Sequence, residues 1–141
     1  MILILDTDLL SLLERADASA LALQMRLDQI DEGEVVTFII SYEEQMHGWL
    51  AYSAQANTKE KMLVVYERIQ RHLQTFRDLT VLPFDLAAAN QFEMLRQAQI
   101  RIGSMDMKIA AICPANNATL LSRNLRHFQQ VPDLKVEDWS V

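Results

Sequence analysis

Apolar residues along this chain fall into short unbroken runs and into spacings of three and four, a pattern that predicts strands separated by helices. Ile2, Leu3, Ile4 and Leu5 form one such run, as expected of a central parallel strand covered on both faces. Leu9, Leu10, Leu12 and Leu13 follow at helical spacing. A second helix is predicted from about Ser19 to Ile30, with Leu21, Leu23, Met25, Leu27 and Ile30 inward and Gly33 ending it before a strand over Glu34 to Ile40. The pattern then returns to helix, with Tyr42, Met46, Trp49, Leu50 and Ser53 on one stripe, and Asn57-Thr58 reads as a turn. Met62, Val65, Tyr66, Ile69, Leu73 and Phe76 mark the clearest helix, so two antiparallel helices in a row are implied.

Thr80 to Leu82 reads as a third strand stopped by Pro83, after which Asp85 caps a helix that carries Leu86, Ala89, Phe92 and Leu95 inward to about Gln99. A further helix opens at Gly103-Ser104 with Met105, Ile109, Ala110 and Ile112, and Pro114 should kink it or end it early. Thr119 to Ser122 and Leu134 to Val136 give two last strands. The alternation predicts an α/β fold with a mainly parallel sheet of four to five strands.

Composition adds bounds to this picture. The 141 residues are half apolar, enough for one domain with one sizeable core, and no linker or repeat interrupts them. No basic lead or long apolar stretch marks the start, so a cytoplasmic protein without a membrane segment is expected. The single Cys113, between Ile112 and Pro114, reads as a buried inert thiol. A net charge of −6 excludes a protein that coats nucleic acid by bulk charge. Its distribution is uneven: residues 1 to 50 hold ten acids against two bases, and residues 51 to 141 hold nine against eleven. One half could present metal ligands while the other meets phosphate.

Candidate chemistry lies at the ends of the predicted strands. Asp6, Glu44, Asp106 and Asn124 each follow an apolar run, and the carboxyl ends of strands in open α/β sheets are where ligands bind. Singly, each has a structural explanation. Asp6 or Asp8 could cap a helix, Ser41 and Glu44 could form a capping box, and Ser104 could cap a helix whose first turn holds Asp106. Together, converging carboxylates imply either a proton-sharing pair or a hard divalent cation.

The motifs around these residues resemble those of the PIN-domain nucleases and, within them, the VapC-type toxins of toxin-antitoxin pairs. The resemblance runs through Leu5-Asp6-Thr7-Asp8, then Ser41-Tyr42-Glu43-Glu44 with Gly48. It continues through Ile102-Gly103-Ser104-Met105-Asp106 and Ile109-Ala110-Ala111, and through Leu120-Leu121-Ser122-Arg123-Asn124 with Phe128 and Trp139. It implies a three-layer α/β/α sandwich with a protruding helical hairpin, and metal-dependent cleavage of RNA. Asp6, Glu44 and Asp106 would be the catalytic carboxylates and, with Asn124, would hold Mg²⁺ or Mn²⁺. Asp8, Ser41 and Ser122 would support the site.

The resemblance further implies a small antitoxin as partner and a homodimer. Arg123, Arg126 and Lys108 are the main candidate contacts to RNA phosphate. Lys59, Lys61, Arg68, Arg71, Arg77, Arg96 and Arg101 are secondary ones. Asn124 offers a neutral amide where many relatives have a carboxylate, so a second ion would be held less tightly. Two other functions stay open: a binding module of the same fold that does not cut, and a nuclease of RNA processing without a toxin role. Glu44-Gln45-Met46-His47 lacks the second copy a di-iron site needs; His47 reads as a polar residue near the site, and His72 and His127 as surface or partly buried residues. With three glycines there is no phosphate loop or dinucleotide motif, and Trp49 and Trp139 read as packing anchors.

Overall fold

The computed structural model describes residues 1–16, 18–31 and 34–141. Its strands are β1 (Ile2–Leu5), β2 (Val35–Phe38), β3 (Val81–Leu82), β4 (Ala118–Leu121) and β5 (Val136–Glu137). Its helices are α1 (Thr7–Arg15), α2 (Leu21–Leu27), α3 (Ile39–Gln55), α4 (Lys59–Asp78), α5 (Leu86–Gln97), α6 (Ser104–Ala115) and α7 (Leu125–Phe128), with a 3-10 turn over Ala18–Ala20. Five strands form one sheet in the order β3-β2-β1-β4-β5, and every pairing is parallel.

The central strand shows why its sequence is unbroken in apolar residues. Successive strand side chains point to opposite faces, so Ile4 joins Val36, Phe38 and Leu120 under α5 and α6, where Ala88, Ile109, Ile112 and Cys113 meet them. Leu3 and Leu5 enter a second core with Leu9, Leu10 and Leu12 of α1, Leu23 of α2, Phe76 of α4, and Trp139. Helices therefore cover both faces, and the three-layer sandwich is observed. Trp139 is buried in this second core as a packing anchor, with Arg26 4.4 Å above its ring. Burial pushes the Cys113 thiol up to about 12, and its Sγ donates to the Ile109 carbonyl. Among the described residues no helix is long and apolar enough to cross a membrane.

Several faces differ from expectation. Leu21 and Met25 are exposed, because residues two apart cannot share one side of a helix; Leu23, Leu27 and Ile30 make the inward stripe. Gly33, expected to end that helix, lies outside the described residues. On α4 the buried positions are Val65, His72 and Phe76, leaving Met62, Tyr66 and Leu73 exposed. Leu86 points outward, since it opens α5 next to its cap, while Ala88 is buried. Asp85 caps α5 through the Ala88 amide and Thr58 caps α4 through Lys61. Ser104 is the first residue of α6 and caps nothing: Gly103 holds the N-cap position without a side-chain bond. Pro114 sits in the last turn of α6, which ends one residue later.

Candidate active site

The chain leaves β1 and turns directly into α1, and Asp6 occupies that junction. Its Oδ1 accepts from the Leu9 amide at 2.8 Å, so the capping role read from sequence is real. Asp6 is only 7% exposed, and the Ser122 hydroxyl at the end of β4 also bonds its carboxylate. Burial raises the Asp6 pKa, helped by the charge of Asp8 and opposed by the bonds from Ser122 and Leu9 and by Arg123. A buried carboxylate between two donors is thus fixed in orientation and short of solvation.

Glu44 comes from the neighbouring strand end. The helix α3 begins at Ile39, immediately after β2, so Ser41 is its third residue and lies fully buried. The capping box is therefore not formed: Phe38 is the N-cap and makes no side-chain cap bond. Glu44 instead accepts from the Thr7 hydroxyl at 2.9 Å. Thr7 has one hydrogen to give, so at 2.9 Å the Ser41 hydroxyl is the donor to Thr7 Oγ1. Burial raises the Glu44 pKa, with Asp106 and Glu43 adding to it and Thr7 opposing. Glu44 and Asp106 line the same cavity.

Asp106 projects from the first turn of α6, and Asn124 stands between β4 and α7. The Asn124 amide N–H donates to Ser122 Oγ at 3.0 Å, which fixes the turn after β4. His127 completes the group, with Nδ1 at 3.0 Å from Asp106 Oδ2 and at 3.1 Å from the Asn124 side-chain amide. At the rim, Arg123 clamps Asp8 through two bonds of 2.8 and 2.9 Å. That hydrogen-bonded guanidinium holds the Asp8 carboxyl below its usual range, and Asp8 in turn raises Arg123.

All four residues expected at the site line one cavity of about 400 Å³, together with Thr7, Asp8, Ile109, Arg123 and Phe128. The remaining expectations separate. Ser41 and Ser122 are fully buried and outside its lining, Arg123 lines it, and Lys108 and Arg126 do not. Among the described residues no three His, Cys, Asp or Glu side chains are gathered closely enough to hold an ion as they stand. Each carboxylate is tied to a neighbour: Asp6 to Leu9 and Ser122, Glu44 to Thr7, Asp106 to His127. Oxygen donors arriving from the ends of β1, β2 and β4 and from α6 nevertheless match what a hard divalent cation takes.

Thr7 and His127 were not legible as site residues, although Thr7 stands inside the first motif and His127 three residues after Asn124. A second groove of about 630 Å³ lies farther along α1, α3 and α4, lined by Glu14, Arg15, Gln45, Trp49, Tyr52, Arg68, Arg71 and His72 among others. Gln45 donates to Ser11 at 3.0 Å there, and burial raises the Glu14 pKa against a bond from Gln45.

Over 45 residues the chain is 40% identical to ribonuclease VapC2 of Rickettsia felis, a match covering 32% of this chain and 34% of that protein, or about a third of its length. No family model matches the chain. Among solved structures, VapBC2 from Rickettsia felis bound to a DNA fragment from its promoter superposes with a TM-score of 0.71 at 24% identity over 99% of both chains. VapBC-1 from nontypeable Haemophilus influenzae gives 0.74 at 22% identity over 100% of both chains. FitAcB from Neisseria gonorrhoeae gives 0.70 at 23% identity over 97% of both. The chain has the fold found in these complexes, which is the fold its sequence resemblance implies.

Proposed function

We propose that a chain with this fold and this cleft is a metal-dependent endoribonuclease that hydrolyses RNA phosphodiester bonds, and that it is the toxin of a VapBC-type pair. The observation that carries the reading is the convergence of Asp6, Glu44 and Asp106, from three separate elements, on one cavity. Their donor chemistry fits Mg²⁺ or Mn²⁺. Asp6 is buried and Glu44 half-buried, so both are partly stripped of water and their pKa values are raised, a cost that a cation would offset. Asp6, Glu44, Asp106 and the Asn124 amide would hold the ion. A bound divalent ion supplies a water acidified toward hydroxide and stabilises charge on the phosphate.

The chain's own groups do the rest. Glu44 has one oxygen engaged by Thr7, and its raised pKa brings it closer to neutrality, so it is placed to accept the proton of the attacking water. Asp6 is bonded from two sides and acts as a fixed wall. Arg123, seated on Asp8 at the rim, offers the remaining donors of its guanidinium to an RNA phosphate.

A small antitoxin and a second copy of the chain are the proposed protein partners, in the cytoplasm. Support comes from the complexes that share the fold and from the hairpin of α3 and α4. That hairpin exposes Leu50, Tyr52, Met62, Leu63, Val64, Tyr66 and Leu73. The deciding experiment is cleavage of an RNA pool by the purified protein. Cleavage should require Mg²⁺ or Mn²⁺, stop on chelation and return when the ion is restored. Full activity after exhaustive chelation would sink the metal-dependent reading. Growth arrest on expression, relieved by the product of a neighbouring small reading frame, tests the toxin role.

A further inference from the structure

His127 stands at a crossing of hydrogen bonds that the nuclease reading does not use. Its Nδ1 lies 3.0 Å from Asp106 Oδ2. A carboxylate oxygen can only accept, so a contact of that length places the imidazole hydrogen on Nδ1. The same Nδ1 is 3.1 Å from the Asn124 side-chain amide. With Nδ1 a donor, an amide nitrogen there would set donor against donor. Amide oxygen and nitrogen have the same shape, so the Asn124 group that faces Nδ1–H is its oxygen. One imidazole N–H is thereby shared between Asp106 and Asn124.

This contact closes a longer chain of bonds. The Ser122 hydroxyl bears on the Asp6 carboxylate, Ser122 Oγ accepts the Asn124 backbone N–H at 3.0 Å, the Asn124 side chain meets His127, and His127 meets Asp106. The arc runs from the end of β1 through the turn after β4 to the first turn of α6. Phe128, buried in the core, anchors the short helix α7 that carries the histidine. No other described residue hydrogen-bonds the Asp106 side chain, which lines the same cavity as Asp6 and Glu44.

We infer that His127 is a positioning residue: its Nδ1–H sets the rotation of the Asp106 carboxylate and, through Asn124 and Ser122, couples Asp106 to Asp6. The inference rests on the nuclease reading of the same cleft. Partners that orient a metal-binding carboxylate commonly contribute about 10–100-fold to ion affinity or turnover when removed.

The test uses the full-length protein and Mn²⁺ alone as the probe, followed by calorimetry, with RNA cleavage measured in parallel. His127→Ala and His127→Phe should each weaken Mn²⁺ binding by about 10–100-fold and lower kcat with little change in KM for RNA. His127→Asn puts a side-chain N–H where Nδ1–H stood and should recover most of both. Wild-type Mn²⁺ affinity and kcat in the Ala and Phe variants would overturn this inference and leave the nuclease reading intact. A wild-type protein that neither binds Mn²⁺ nor cuts RNA would overturn both. Nitrogen NMR of the wild-type imidazole is independent of whether any variant folds. The Nδ1–H tautomer supports the assignment, and the Nε2–H tautomer overturns it.

Discussion

Replacing Asp6 by Asn is expected to lower RNA cleavage by on the order of 10²–10³-fold while making the protein more stable at neutral pH. The two effects share one cause. Asp6 is nearly inaccessible and its pKa is raised, so ionising it at pH 7 works against folding. Asn caps a helix about as well as Asp and can keep the bonds to the Leu9 amide and the Ser122 hydroxyl, yet carries no charge to desolvate. For a carboxyl whose folded pKa lies above its unfolded value, the proton-linked stability is fully present below the unfolded pKa and is lost as pH rises through the folded one. The advantage of Asp6→Asn should therefore be seen at pH 7, on the order of 1 kcal/mol or a few degrees in Tm, and vanish near pH 3.5.

Divalent ion reverses the order. An ion that binds only the folded wild-type protein adds RT ln(1 + [ion]/Kd), about 2.7 kcal/mol at one hundred times Kd, and the variant gains far less. Thermal melts with and without Mn²⁺, alongside cleavage rates, check the prediction. Unchanged cleavage, or a variant that melts lower than wild type without ion, would defeat the proposed role of this residue.

How much of this site was legible depended on how local its causes are. Asp6, Glu44, Asp106 and Asn124 stood out because each follows an apolar run, and a run is visible without knowing what lies beside it in space. Thr7 and His127 acquire their roles through partners elsewhere. Thr7 meets Ser41 and Glu44 across 34 and 37 residues, and His127 meets Asp106 on another helix. The capping box at Ser41 failed for a related reason. Ile39 and Ile40 looked like the end of a strand, but they form the first turn of α3, which moves Ser41 into the helix and frees Glu44 to meet Thr7. The parallel sheet and the burial of β1 followed from apolar runs and their alternation with helices, the strand order did not, and helix faces were harder. On α4, the spacing of Met62, Tyr66, Ile69, Leu73 and Phe76 competes with that of Val65, Ile69, His72 and Phe76. The second stripe won because α3 faces it, with Tyr42 packed against His72 and Phe76, and a histidine in the middle concealed it.

That histidine carries the second large effect: His72→Phe is expected to raise stability by about 1–2 kcal/mol at pH 7.5, and by more at pH 5.5. His72 is 3% exposed, with ring centroids 5.1 Å from Tyr42 and 4.7 Å from Phe76. Neither ring nitrogen has a hydrogen-bonding partner among the described residues. Leaving such a group unsatisfied costs about 1–3 kcal/mol, which an aromatic ring without nitrogen avoids. Phenylalanine is larger, and overpacking a closed core would cost a similar amount. Here the ring borders the open 630 Å³ groove, which gives the added volume somewhere to go, so the satisfaction effect should win. Burial also lowers the His72 pKa. The unfolded chain then binds a proton near pH 6.5 that the folded chain resists, and wild-type stability falls as pH drops below that value. Phenylalanine has no such proton, so the gap between the two melting curves should widen on acidification. Melts at pH 7.5 and 5.5 decide the matter. A variant no more stable at either pH would mean that the orphaned nitrogens cost this fold nothing. RNA cleavage at saturating Mn²⁺ should change little, because His72 lies outside the carboxylate cavity.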